Sequence, residues 1–107
     1  FKIEYQRGDP PHFAFLSYLD SQIMIQQEDD NPDWHNGKPE FPFGRGINFQ
    51  IKTNNAKKLV DKLSEIDYPL KSGLQECWYA VNDSSYGYRE FLVMDPDGYL
   101  LRFSEPL

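Results

Sequence analysis

The chain has 107 residues, of which 39% are hydrophobic and 16% aromatic, enough for one domain with a buried core. Its formal net charge is −6 at pH 7, and an acidic surface repels phosphate backbones, so we expect no nucleic-acid partner. No apolar run reaches membrane-spanning length, so we expect no membrane partner either. The single cysteine, Cys77, excludes an intrachain disulfide and favours a reducing, cytoplasmic location.

The N-terminal part of the chain predicts three antiparallel strands joined by short turns. Hydrophobic and polar residues alternate over 1–6, aromatic residues dominate 13–19, and alternation returns over 22–26. A period of two is typical of strands. Residues 28–46 are polar and contain three prolines and three glycines, so we predict a long linking loop there.

The segment after this loop predicts a strand, a helix and three more strands. Alternation over 47–52 indicates a strand, and the hydrophobic period then changes to that of a helix. Asn54 or Asn55 is the expected N-cap, and Pro69 lies past the end of the helix. The last three strands are predicted at 78–82, 89–94 and 99–104, the final two joined by the turn Asp95-Pro96-Asp97-Gly98.

This order of elements predicts an α+β fold with an internal repeat. The second half has the order β-α-β-β-β, and the first half has only its three closing strands, so about 20 to 30 upstream residues are expected to complete the first half. We therefore expect one domain over residues 1–107. Its parts are a partial first module (1–27), the linking loop (28–46) and a complete βαβββ module (47–107).

Two stretches of the second half carry a family resemblance. They are "FPFGRGINFQI", which leads into the helix, and "REFLVMDPDGYLLRF", which closes the domain. With the paired βαβββ modules, these stretches resemble the vicinal oxygen chelate superfamily, which includes glyoxalase I, extradiol dioxygenases and bleomycin resistance proteins. The bleomycin-resistance-like branch is the most similar. The resemblance implies paired modules that form a curled mixed sheet, with the ligand site on its concave, helix-free face.

Alternation identifies the side chains expected on that concave face. Asn48, Gln50 and Arg102 alternate with apolar residues that we expect to pack under the helix. Pairing across the DPDG turn is expected to bring Phe91 beside Arg102. The candidate ligand-binding residues are Met24, Asn48, Gln50, Trp78, Phe91 and Arg102. The alternative is that this polar face is only solvated, as in many antiparallel sheets.

The aromatic residues suit a flat ligand, because their faces stack on heterocycles. We include Trp34, Trp78, Tyr79 and Tyr88 among those that could do so. The Arg102 guanidinium could pair with an anionic ligand group or stack on a ring, and both roles remain open.

The resemblance also allows the sequence to be tested for a metal site. In the metalloenzymes of the superfamily, His, Glu or Gln side chains of the concave face bind the metal. The matching positions here hold Met24, Asn48 and Arg102, and the fourth lies in the upstream strand. Because arginine stays protonated and has no lone pair to give, we expect no metal and no cofactor. His12 and His35 are expected on the surface.

The sequence favours a binding protein over an enzyme. We find no combination of nucleophile, base and oxyanion donor, and alternation is expected to place Glu90 with Leu92, away from Arg102. The resemblance implies a metal-independent protein that sequesters a bleomycin-type drug or another aromatic compound, as in antibiotic resistance, in a cup at a homodimer interface. The alternatives are a metal-dependent glyoxalase- or dioxygenase-type enzyme of the same superfamily, and a purely structural role.

Overall fold

The computed structural model of the chain describes residues 1–28, 35 and 37–107. The chain folds as two compact units, Phe1–Pro39 and Glu40–Leu107. The described strands form a three-stranded sheet in the first unit and a four-stranded sheet in the second. In the ranges that the structure describes, no helix has the length and apolar character needed to cross a membrane.

The N-terminal unit is an antiparallel meander, as predicted. Its strands are β1 (Lys2–Arg7), β2 (Phe13–Tyr18) and β3 (Ser21–Gln26), with β2 in the centre. Aromatic side chains cross the sheet: the ring of Tyr5 stacks on Phe15 at 5.5 Å, and the guanidinium of Arg7 lies 4.1 Å from the ring centre of Phe13. Such cross-strand pairs stabilise a small sheet that has few buried residues.

The C-terminal unit has the predicted order β-α-β-β-β. Its elements are β4 (Asn48–Lys52), α1 (Ala56–Glu65), β5 (Ser72–Val81), β6 (Ser84–Met94) and β7 (Leu100–Pro106). The sheet order is β4-β7-β6-β5, with β4 parallel to β7 and the other pairs antiparallel. The fold is therefore α+β with a mixed sheet.

The hairpin of β5 and β6 is longer than the sequence indicated. β5 begins at Ser72 and β6 at Ser84, both ahead of the predicted starts at 78 and 89. Serine and glycine residues interrupt the hydrophobic pattern in these added stretches, and cross-strand hydrogen bonds supply the missing stability. Asn82 turns the hairpin in a left-handed conformation with φ of 55°, which asparagine tolerates.

Helix α1 is capped at its N-terminus by two side chains. The Asn55 side chain accepts a hydrogen bond from the backbone N of Lys58 at 3.0 Å, which confirms Asn55 as the N-cap. Glu105 of β7 accepts one from the backbone N of Ala56, also at 3.0 Å. A carboxylate at this end of a helix is stabilising because the helix dipole is positive there. These contacts fix α1 to the end of β7.

The core of the C-terminal unit lies between the sheet and α1. Its buried hydrophobic residues are Ile51, Ala56, Phe91, Val93 and Phe103. The rings of Phe91 and Phe103 stack with centroids 5.2 Å apart and an interplanar angle of 13°. Stacked aromatic pairs add to the stabilisation that their burial gives. The side chains on this face of the sheet therefore pack against α1 in the core.

The turn between β6 and β7 sets a register that differs from the predicted one. The backbone N of Asp95 donates to the carbonyl of Tyr99 at 2.9 Å, so three residues close the loop. Gly98 has φ of 93°, the left-handed conformation that such loops require. In this register Phe91 faces Phe103, and the neighbour of Arg102 is Leu92.

The predicted placement of Phe91 beside Arg102 is therefore wrong. Phe91 lies on the helix side of the sheet and is 1% exposed. Glu90 shares a face with Leu92, as predicted, but that face also carries Arg102. The cause is the three-residue loop, because an even number of loop residues would have given the opposite pairing of faces.

Phe91 is accordingly expected to act in folding. Phe91→Ala should lower the free energy of unfolding by about 3–5 kcal/mol, since it removes a buried ring and leaves a cavity. Urea unfolding measures the change. Phe49→Ala is the control: Phe49 lies half-exposed on β4, and its loss should be clearly smaller. Equal losses for both variants would contradict this account of the core.

Candidate functional site

The face of the four-stranded sheet opposite the core carries a polar groove. The parallel pairing of β4 and β7 places Gln50 beside Arg102. The antiparallel pairing of β5 and β6 places Tyr79 beside Tyr86. The groove has a volume of about 240 Å³, and its lining residues are Gln50, Tyr79, Val81, Tyr86, Tyr88, Glu90 and Arg102. Aromatic rings and two charged groups therefore meet on one face.

Arg102 is the one cation among the residues that line the groove. One of its terminal nitrogens, Nη2, donates a hydrogen bond to Oε1 of Gln50 at 2.7 Å. Its Nε is buried and has no hydrogen-bond partner among the described residues. A buried donor without a partner is uncommon and costly in native proteins, so this nitrogen requires an explanation.

Glu90 is the buried anion of the groove, with only 4% of its surface exposed. Its Oε2 accepts a hydrogen bond from the Tyr79 hydroxyl, and its Oε1 accepts one from the hydroxyl of Ser104, each at 3.0 Å. Burial of a charged carboxylate is unfavourable unless hydrogen bonds compensate. Both oxygens are compensated here, so Glu90 is held in place by the protein itself.

The contact with Glu90 changes the chemistry of Tyr79. The hydrogen bond to Glu90, with smaller contributions from Cys77 and from burial, raises the pKa of Tyr79 to about 12. The phenol therefore stays protonated at neutral pH and is a poor general base. Ser104 is buried and donates to the same carboxylate, so its hydroxyl is not available as a nucleophile. Neither the Tyr79 phenol nor the Ser104 hydroxyl is therefore placed to act as a base or a nucleophile.

The predicted site residues divide into four groups in the structure. Gln50 and Arg102 line the groove together. Asn48 lies on the same face of β4, but the hydrogen bond of Arg102 goes to Gln50. Met24 is on β3 of the N-terminal unit and is 66% exposed.

Trp78 and Phe91 lie on the face opposite the groove. Because side chains alternate along β5 and Tyr79 faces the groove, Trp78 faces the other side of the sheet, where it pairs with Gly87. Its ring covers Gly87 so closely that an added Cβ would come within 2.6 Å of it. Neither Trp78 nor Phe91 is therefore placed to contact a ligand in this groove. Trp34 lies outside the described residues.

Sequence reasoning missed Tyr86, Val81 and Glu90 as groove residues. Tyr86 belongs to the stretch between the predicted strands 78–82 and 89–94, whereas Val81 lies in the predicted strand 78–82 but was not chosen as a site residue. Glu90 was assigned to the other face because of the register of the β6–β7 turn. The alternation of Tyr86, Tyr88 and Glu90 was the one sequence pattern that could have revealed them.

Comparisons with solved structures identify the fold. A glyoxalase/bleomycin resistance protein/dioxygenase superfamily member from Vibrio splendidus 12B01 is 26% identical, with 100% of this chain and 79% of that chain covered and a TM-score of 0.54. A glyoxalase/bleomycin resistance protein/dioxygenase from Alicyclobacillus acidocaldarius is 18% identical, with 99% and 73% covered and a TM-score of 0.56. The chain has the fold of the vicinal oxygen chelate superfamily.

A third solved structure agrees with this fold. It is a conserved domain protein, 22% identical, with 99% of this chain and 77% of that chain covered and a TM-score of 0.66. No protein-family model and no curated protein matches the chain. The predicted resemblance to the superfamily is confirmed, and the assignment to its bleomycin-resistance-like branch stays a prediction.

The groove residues do not fit the metal that enzymes of the vicinal oxygen chelate superfamily bind. Glu90 is its one carboxylate, and both oxygens already accept hydrogen bonds. The Gln50 oxygen accepts from Arg102, whose permanent positive charge would repel a divalent cation. Among the described residues, no group of three or more His, Cys, Asp or Glu side chains could hold a metal ion.

The raised pKa of Tyr79 predicts how stability depends on pH. The protonated phenol donates to Glu90 in the folded protein, so this stabilisation is complete below the ordinary tyrosine pKa of 10.0 and lost as pH rises through about 12. Phenolate absorbance of the native protein should show one tyrosine titrating near pH 12. That component should be absent from Tyr79→Phe. A titration that is unchanged in the variant would contradict the assignment.

Proposed function

We propose that the chain is a small-molecule-binding protein whose ligand lies in the groove of its C-terminal unit and whose binding requires no metal. The observation that supports this most directly is the buried, unpartnered Nε of Arg102 in a groove lined by three tyrosines. Concave sites with aromatic walls and a few convergent polar groups are typical of ligand pockets. A bound ligand also supplies what Arg102 lacks, a hydrogen-bond acceptor.

The groove volume restricts the size of this ligand. Pockets for drug-sized molecules are typically about 300–1,000 Å³, and this groove has about 240 Å³. A compound with a single ring therefore fits better than a large drug. A bleomycin-type drug, the ligand that the family resemblance suggests, would extend beyond the groove, and antibiotic resistance is correspondingly the weaker proposal.

The alternative function is a metal-dependent enzyme of the superfamily. The names of the relatives include dioxygenases, so the alternative has a basis in the fold. The hydrogen bonds of Glu90 and Gln50 and the charge of Arg102 oppose it within the groove. We therefore propose binding without catalysis, and the sensitivity of binding to a chelator distinguishes the two functions.

Paired replacements on the two faces of the hairpin test the proposed function. A thermal-shift screen with aromatic compounds of one ring identifies a ligand, and calorimetry then measures its affinity. Tyr86→Ala should weaken binding about three- to tenfold, because stacking on a ring is typically worth about 0.5–1.5 kcal/mol. Trp78→Phe, on the reverse face of the same hairpin, should leave the affinity unchanged.

The same titration repeated after chelator treatment tests metal independence, and we expect an unchanged affinity. Loss of binding with the chelator would favour the metal-dependent alternative. Weaker binding in Trp78→Phe together with an unaffected Tyr86→Ala would place the ligand on the other face and reject the groove.

We further propose that the chain acts as a homodimer in the cytoplasm. The described sheets have edge strands at β1, β3, β4 and β5, and edge strands favour pairing with another chain. Sedimentation at micromolar concentration should give twice the mass of one chain. A sedimenting species with the mass of a single chain at that concentration would reject the dimer.

A further inference from the structure

The geometry points to the chemical class of the ligand: a monocyclic aromatic acid whose carboxylate binds the Nε–Nη2 edge of Arg102. This inference rests on the proposed binding function of the groove and specifies its ligand. In the structure, Gln50 holds one end of that edge by accepting a hydrogen bond from Nη2. The other end, Nε, has no partner among the described residues.

The unsatisfied edge of Arg102 matches the geometry of a carboxylate. A guanidinium presents Nε and a terminal nitrogen as two parallel donors, and the two oxygens of a carboxylate accept both at once. A single neutral acceptor satisfies only one of them, as Gln50 does here. The charge-assisted pair is also stronger than a hydrogen bond between neutral groups. A carboxylate is therefore the ligand group that accepts a hydrogen bond from both donors of this edge of Arg102.

The Gln50 side chain can move away from Arg102 at little cost in free energy. It is exposed on β4, a strand at the edge of the sheet. Its oxygen faces Arg102, so its amide nitrogen remains as a donor for a ligand oxygen when the side chain moves. We infer that Gln50 occupies the binding edge until a ligand displaces it.

The rest of the groove selects against cations. A cationic ligand would need an accessible anion, and Glu90 is only 4% exposed and already accepts hydrogen bonds from Tyr79 and Ser104. Breaking those bonds would leave the hydroxyl of Ser104, which is also buried, without its partner. The charge that remains available to a ligand is that of Arg102.

The three tyrosines of the groove explain why the proposed ligand carries an aromatic ring. Tyr79 and Tyr88 lie with ring centroids 6.0 Å apart, and Tyr86 pairs with Tyr79 across the hairpin. All three line the groove beside Arg102. A flat ring that stacks on these side chains would carry its carboxylate on the side that faces Arg102.

Three probes of equal shape and different charge test the inference: benzoate, benzamide and benzamidine. Ligand-observed NMR with the full chain measures their affinities, because it detects weak binding of small compounds. We expect benzoate to bind most tightly, benzamide more weakly and benzamidine least. Tighter binding of benzamidine, or equal binding of all three, would overturn the inference but leave the proposed binding function standing. If none of the three binds, both fail.

Replacements of Arg102 and Gln50 give a second readout. Arg102→Met should weaken benzoate about ten- to a hundredfold, the typical loss of a hydrogen bond to a charged group. Arg102→Lys should also weaken it, because lysine keeps the charge but lacks the two-donor edge. Arg45→Met is the control, since Arg45 is exposed and bonds only the carbonyl of Phe41 among the described contacts.

The variant Gln50→Glu tests the proposed carboxylate site most directly. The new carboxylate would form a permanent ion pair with Arg102 and occupy the proposed edge, so benzoate binding should be lost while the folded state is retained. Gln6→Glu adds the same charge on the exposed β1 and should change little. Benzoate affinity that survives in both Arg102→Met and Gln50→Glu, with native circular dichroism, would overturn the inference.

Discussion

The register between β6 and β7 is the constraint on which both faces of the C-terminal sheet depend. The Asp95 side chain accepts hydrogen bonds from the backbone N of Asp97 and of Tyr99 at 3.0 and 2.9 Å, and these bonds fix the loop. Since side chains alternate along a strand, this one loop sends Phe91 into the core and Glu90 into the groove. A shift by one residue would exchange the two and destroy both sites.

The groove contains two charged groups whose hydrogen bonding differs. The carboxylate of Glu90 is surrounded by donors from β5 and β7, which is what stability alone would require. The guanidinium of Arg102 is only partly satisfied. An unsatisfied buried donor lowers stability, so hydrogen bonds among the described residues account for Glu90 but not for the Nε of Arg102.

Local sequence patterns predicted the elements better than the faces. The helix followed from its 3.6-residue period and from a cap at Asn54 or Asn55, of which the structure shows Asn55. The shared face of Gln50 and Arg102 followed from alternation on β4 and β7. The face of the sheet that carries Phe91 was predicted wrongly. Whether the β6–β7 loop has an odd or an even number of residues depends on backbone hydrogen bonds that no residue pattern shows. The start of β5 was missed because pairing with β6, a non-local interaction, stabilises Ser72 and its neighbours.

The turn at Gly98 has a consequence for how this scaffold can evolve. A side chain at Gly98 would be strained by its backbone conformation and would place a Cβ 2.5 Å from Pro42, while Phe43 donates to the carbonyl of Asp97 in the same turn. A substitution at Gly98 would therefore disturb the turn and, through it, the register of β6 and β7. Side chains of the groove face do not carry this constraint, so they can be exchanged without altering the frame that presents them.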